Sequence, residues 1–142
     1  MKEIARSAIV EHSASEMYAL VDDIESYPRF LPWCLEARVQ AAGARKRATL
    51  TAGVGGIRQS FTTENENLPA RAIDMRLVEG PFREFAAAWR FTPLAEHACQ
   101  IDFSMRYRFS SRALGRLLEP LFDQIADSMV DAFTRRADEL SS

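Results

Sequence analysis

Apolar residues in the last third of the chain fall at helical spacing. Leu114, Leu117, Leu118, Leu121, Phe122, Ile125, Met129, Phe133, Ala137 and Leu140 recur at three- and four-residue steps, placing them on one side of a helix. The other side carries Arg116, Glu119, Asp123, Asp127, Asp131, Arg135 and Asp138, so one face meets water and the other needs a cover. Pro120 interrupts the pattern. Its ring removes one intrahelical hydrogen bond and crowds the preceding turn, which predicts a kink near Arg116 to Glu119, or a short helix followed by a long one. No neighbouring helix in this chain is wide enough to bury such a stripe, whereas a sheet is.

Upstream the apolar period drops to two. Ile4, Ala8 and Val10 alternate with polar or small residues as a first strand, with Arg6 on the apolar parity. Ser13 and Glu16 form a capping box ahead of a short helix that buries Met17, Leu20 and Val21. From Asp22 to Cys34 two prolines break regularity and Tyr27, Phe30 and Trp33 crowd together. Rings concentrated there read either as the wall or mouth of a pocket or as a plug closing one end of the core.

Strands then follow one another. Leu35, Ala37, Val39 and Ala41 form the second and Ala48, Leu50, Ala52 and Val54 the third. Ile57, Gln59, Phe61 and Thr63 form the fourth, with a turn expected from Asn65 to Pro69. Ile73, Met75 and Leu77 make the fifth, and Phe85, Ala87, Trp89 and Phe91 share one face of the sixth. The seventh alternates strictly from Cys99 through Ile101, Phe103, Met105 and Tyr107 to Phe109. Gly53, Gly55 and Gly56 predict a flexible bend or bulge, and they lack the strand-to-helix setting of a phosphate loop. The expected architecture is α+β: a seven-stranded antiparallel sheet with one dry face, curled around the long C-terminal helix.

Length and composition narrow the function classes. The 142 residues are read as a single domain, 1–142, with a substantial core. No apolar run approaches the roughly 20 residues that cross a bilayer. The start, Met1 to Arg6, enters a strand pattern instead of a signal segment, so a cytoplasmic location is expected. Cys34 and Cys99 lie far apart without zinc-ligand spacing and read as reduced core thiols. A net charge of -2 gives no general attraction to nucleic acid, and no DNA partner is expected; Arg45 to Arg47 and Arg135 with Arg136 are local basic spots.

Candidate chemistry is sparse. His12 reads as a solvated or capping histidine and His97 as a turn residue; Asp22, Asp23 and Glu25 read as a solvated acidic loop beside the ring cluster. Small residues on the inner face of the sheet, Ala48, Ala52 and Ala87, leave space under the helix. An empty cavity of about 300 Å³ would cost roughly 7 kcal/mol at about 24 cal/mol per Å³, so the interior either collapses or takes an apolar guest. Arg6 is a candidate hydrogen-bond donor to a ligand head group, or else a strand-end arginine snorkelling to water.

Four motifs carry a family resemblance across nearly the whole chain. They are Tyr27-Pro28-x-Phe30-x-Pro32-Trp33-Cys34; Ser60-Phe61-Thr62-Thr63; Gly80-Pro81-Phe82 with Trp89 and Phe91; and Phe122-Asp123-x-Ile125-Ala126-x-x-Met129-Val130-Asp131-Ala132-Phe133 with Arg136-Ala137. In these the chain resembles the coenzyme Q-binding family, a branch of the START-like polyketide cyclase/dehydrase superfamily that includes bacterial ribosome-association toxins. Leu68 before Pro69 and the Ala86 to Ala88 run depart from the usual pattern. The resemblance implies a helix-grip fold with a cavity between sheet and helix. It also implies non-enzymatic binding of ubiquinone or a related polyprenyl quinone in support of respiration, with transient membrane contact.

The ligand-binding set expected on this basis is Arg6, Tyr27, Phe30, Trp33, Phe61, Trp89, Phe91, Phe103, Met105, Phe122, Ile125 and Met129. No catalytic residue, metal ligand or cofactor beyond the bound quinone is expected. The alternative the family implies is a toxin that binds the large ribosomal subunit and blocks subunit joining. A cyclase or dehydrase ranks last, because no acid–base pair can be placed inside.

Overall fold

A computed structural model describes residues 1–141. Strand β1 (Lys2–Val10) leads into helix α1 (Ala14–Asp22) and a 3₁₀ turn (Ile24–Arg29). Strands β2 (Cys34–Ala42), β3 (Arg45–Val54), β4 (Ile57–Leu68), β5 (Ala72–Glu79), β6 (Phe82–Ala95) and β7 (Ala98–Phe109) follow, and helix α2 (Arg112–Ser141) ends the described chain. The seven strands form one antiparallel sheet in the order β1-β7-β6-β5-β4-β3-β2, so β2 to β7 meander and β1 closes back onto β7. Register shifts at Cys34/Glu36, Thr62/Thr63, Phe82/Glu84 and Pro93/Ala95 mark bulges that bend the sheet. The fold is the helix-grip arrangement, with α2 lying in the curl of the sheet.

Two sequence expectations change at the turns. Gly55 and Gly56 both have positive φ, 55° and 85°, and join Val54 to Ile57 directly. This is the signature of a two-residue type I′ hairpin, a tight turn in place of the expected flexible bend or bulge. Asn65 lies inside β4, opposite Met75, and the turn comes later, with Ala70 at φ 62°. A buried Asn persists in the strand because its Oδ1 accepts a hydrogen bond from the Thr63 hydroxyl at 2.8 Å.

Helix α2 runs unbroken through Pro120, so the short-then-long alternative is not formed. Ser111 Oγ accepts from the Leu114 N–H and caps its start. Leu118, Leu121, Phe122, Ile125, Met129, Phe133 and Ala137 are buried against the sheet. Leu117 and Leu140, assigned to the same stripe by spacing, are more than half exposed. Leu118 and Leu121 are the residues of that turn that are fully buried.

Two rings anchor the helix. Phe133 is fully buried and meets Phe30, Tyr27 and Trp89 at centroid distances of 5.1, 5.2 and 5.4 Å. Phe122 does the same one end over, against Phe61, Phe82, Tyr107 and Phe109. Exposed ion pairs from Lys2 to Glu119 and Asp123 join β1 to α2, and pairs of this kind contribute little individually.

Of the two readings offered for His12, solvated or capping, neither holds: Ser13 caps α1, and His12 is buried. Its Nδ1 lies 2.9 Å from Glu16 Oε2 and its Nε2 2.7 Å from Asp138 Oδ1, clamping the start of α1 to the end of α2. An imidazolium donates at both nitrogens, so the Asp138 and Glu16 hydrogen bonds raise the His12 pKa above 6.5 against the opposing effect of burial.

Because the folded value lies above the unfolded one, the clamp's stabilisation is complete below pH 6.5 and disappears as pH rises through the folded value. Chemical denaturation across neutral pH should therefore show stability declining on the alkaline side, and His12→Gln should flatten that slope. Phe133→Ala should destabilise the protein by about 3–5 kcal/mol in the same measurement.

Candidate functional site

The interior space lies between α2 and the inner faces of β3 to β7, closed at one end by the 3₁₀ turn and Trp33. Each wall follows from strand parity: Ala48 and Leu50 from β3, Phe61, Thr63 and Asn65 from β4, Ile73 and Met75 from β5. Phe85, Ala87 and Trp89 come from β6 and Phe103 and Met105 from β7, with Phe122, Ile125 and Met129 forming the roof. Val21, Ile24, Tyr27 and Trp33 complete it. The cavity volume is about 50 Å³, far below the 300 Å³ considered from sequence, because Met75, Leu50, Phe85 and Ile73 also line it.

Nine of the twelve expected ligand-contacting residues lie in this wall: Tyr27, Trp33, Phe61, Trp89, Phe103, Met105, Phe122, Ile125 and Met129. Three do not. Arg6 has the inward parity but sits on an edge strand, where its guanidinium reaches Asp127 Oδ1 on the polar flank of α2 at 2.9 Å. Moving that charge inside would strand it among apolar groups. Phe30 packs behind Phe133 and beneath Arg136, whose guanidinium carbon lies 5.3 Å from the ring centre. Phe91 stacks on Trp89 and meets Tyr18 edge-on, so it is buried under α1 beyond the cavity.

Missed from sequence were Thr63 and Asn65, polar positions on the parity of Phe61, together with Val21, Ile24, Leu50, Ile73, Met75 and Phe85. Strict parity through β4 would have pointed Thr63 and Asn65 inward.

No Asp, Glu, Lys, Arg or His lines the cavity. Burial pushes the Cys34 thiol up to about 11 and raises Tyr27 well above its usual value, and the Tyr27 hydroxyl donates to the Val21 carbonyl. Neither group is a proton donor or acceptor for chemistry at neutral pH. Asp22 accepts from Lys46 and Asn67, tying α1 to β3 and β4, and Asp23 accepts from Ser26. Neither belongs to the cavity wall. Among the described residues no group of His, Cys, Asp and Glu is placed to hold a metal.

Two buried side-chain atoms among the described residues lack hydrogen-bond partners: Trp33 Nε1 and the Tyr107 hydroxyl. Only Trp33 touches the cavity.

A larger depression of about 570 Å³ lies on the opposite face of the sheet, over Ala86, Ala88 and Ser104. It is flanked by exposed ion pairs such as Arg76 with Glu64, and no aromatic ring lines it. An apolar molecule gains more in the smaller, ring-lined chamber. The Arg45 to Arg47 run, read as a basic spot, is engaged by carboxylates: Arg45 and Arg47 by Glu64, Arg45 also by Glu66, and Lys46 by Asp22.

Residues 10–134 match the family described as "Polyketide cyclase / dehydrase and lipid transport". The chain belongs to this family. The ribosome association toxin RatA of Escherichia coli K12 is 38% identical to this member over 143 residues, covering 100% of this chain and 90% of that one. The mitochondrial coenzyme Q-binding protein COQ10 homolog B of Xenopus laevis is 27% identical over 140 residues, covering 95% of this chain and 57% of the other. Among solved structures, the ZhuI aromatase/cyclase from Streptomyces sp. R1128 superposes with a TM-score of 0.86 at 16% identity, covering 99% and 96% of the two chains. At that identity the likeness establishes the fold alone. The polyketide cyclase / dehydrase and lipid transport family thus supplies a ligand-binding, START-like scaffold, and no helix among the described residues is long and apolar enough to cross a membrane.

The empty volume can be tested directly. Ala48→Val adds carbon where the wall is thinnest in side-chain bulk. Filling about 50 Å³ should stabilise by about 1 kcal/mol, a rise of roughly 2–4 °C in Tm by calorimetry. A lower Tm would mean that the wall is already tightly packed there.

Proposed function

We propose that this protein associates with ribosomes, acting as a toxin that engages the large subunit and hinders subunit joining. The observation that carries this reading is the 38% identity to RatA over a match that spans the whole of this chain. Controlled overexpression followed by sucrose-gradient sedimentation should raise free subunits at the expense of joined ribosomes. An unchanged ratio would remove this role.

A second reading concerns the interior and is compatible with the first. The ring-lined, charge-free chamber supports reversible binding of an apolar molecule of the quinone class, without catalysis, and the 27% identity to a coenzyme Q-binding protein supports the same ligand class. The present volume does not hold a polyprenyl chain, so on this reading α2 or the 3₁₀ turn moves outward to admit one. Solvent extraction of the purified protein followed by mass spectrometry should recover a quinone or similar lipid. A lipid-free protein that also fails to take up decylubiquinone would overturn it.

A further inference from the structure

The basic runs that stand out in the sequence are already engaged. Arg45, Lys46 and Arg47 meet carboxylates, and Arg136 reaches Glu139 and lies over the Phe30 ring. Uncommitted cations lie elsewhere, at the corner where β6 begins, β7 ends and α2 starts. Arg83, Arg108, Arg112 and Arg116 are all exposed there, and none makes an ion pair among the described residues.

The backbone brings these four together. Ser110 donates from its N–H and its hydroxyl to the Pro81 carbonyl, at 2.9 and 3.2 Å, tying the end of β7 to the start of β6. Phe82 stacks on Phe109 with ring centres 5.3 Å apart, and Phe109 in turn lies against Gly115 near the start of α2. Arg83 is the residue inserted by the bulge beside Phe82, and Arg112 and Arg116 stand one turn apart on one face of α2. Against them stand Glu84, opposite Arg108 in register, and Glu79 at the end of β5; Glu119, further along α2, is taken by Lys2.

Arg112 and Arg116 are held against the stability of their own helix. The N-terminal end of a helix carries a partial positive charge, so cations there are unfavourable and carboxylates favourable, and like charges four residues apart repel. The first turn of α2 contains no acidic residue to offset them. An anionic partner reverses both effects, because its negative charge interacts favourably with the helix end and offsets the repulsion between the two guanidiniums. Arginine's planar fork donates two parallel hydrogen bonds to a phosphate, and several such contacts release counterions from a polyanion. The whole chain has a net charge of -2, so attraction of a polyanion depends on presenting this corner.

We propose that this arginine corner docks on the phosphate backbone of RNA, and that it is the surface through which the protein meets the large ribosomal subunit. The proposal rests on the ribosome-associating reading above and adds the place and chemistry of the contact.

Cosedimentation of the full chain with purified large subunits at several salt concentrations tests it. The variant Arg112→Glu, Arg116→Glu should bind roughly ten- to hundredfold more weakly at about 0.1 M salt, with the slope of log affinity against log salt about two units shallower. The same variant should gain about 2–4 °C in Tm, since acids at a helix start are favourable, so its loss of binding does not come from misfolding. Arg38→Glu, Arg71→Glu makes the same charge change on β2 and in the β4–β5 turn, where both arginines are exposed and unpaired among the described residues, and should keep affinity within about twofold. Arg112→Gln, Arg116→Gln should weaken binding by a smaller factor, and it carries the test if the reversed variant fails to fold.

Undiminished binding by the corner variants, or an equal loss in the control, overturns the proposal while wild-type binding keeps the ribosome reading intact. A fall in Tm overturns the claim that these charges oppose stability. RNA extracted from the same subunits should show the same arginine dependence; its absence, or equal arginine-dependent binding to phosphatidylglycerol vesicles, overturns RNA as the partner. If the wild type does not bind large subunits, the ribosome reading fails, and the proposal fails with it.

Discussion

The structure depends on two amphipathic surfaces hiding each other. Helix α2 has a wide apolar face that its own length cannot bury, and the sheet has a dry concave side that would otherwise face water. Neither is stable in isolation, because each would expose most of the apolar area whose removal from water drives folding. Phe133 and Phe122 concentrate this mutual cover at two points about three helical turns apart, each inside its own group of rings. The edges are then trimmed by polar ties, Lys2 and Arg6 to the acidic flank of α2 and His12 to Asp138.

Between the two anchors the cover is incomplete. Ala48 and Ala87 stand back from the helix, and the rings of Phe61, Trp89 and Phe103 bridge most of the gap without closing it. Full packing would have needed larger residues at the alanine positions. A core that retains small residues at Ala48 and Ala87 and, in the same wall, a buried Trp33 whose indole N–H has no partner departs from what stability alone selects. That departure, more than the size of the space, distinguishes the site from an ordinary packing defect.

The sequence made the framework legible because periodicity reports which face of an element is buried. The α2 stripe, the seven strands in order and nine of the wall residues follow from periods near 3.6 and 2 together with family motifs. Parity alone does not say where in the sheet a strand lies. Arg6 shares the inward parity of Ile4 and Ala8, yet the edge position of β1 sends it to Asp127. Asn65 looked like a turn residue because local propensity ignores a Thr63 hydroxyl two residues away. His12 looked solvated because its partner, Asp138, is 126 residues further along. The basic run at Arg45 to Arg47 looked free for the same reason, its carboxylates lying on β4 and α1.

The placement of β1 bears on how the molecule is made. Lys2 pairs with Tyr107 and Val10 with Cys99, so the earliest strand to be synthesised waits for one of the last before its backbone finds a mate. The roof over the chamber follows later still. A nascent chain therefore carries a meander with one greasy side uncovered and a lone N-terminal segment, a topology of long sequence separations that favours slow, late assembly. The pocket comes into being only as a closing event, so any small molecule present at that moment has its best access before the lid is laid.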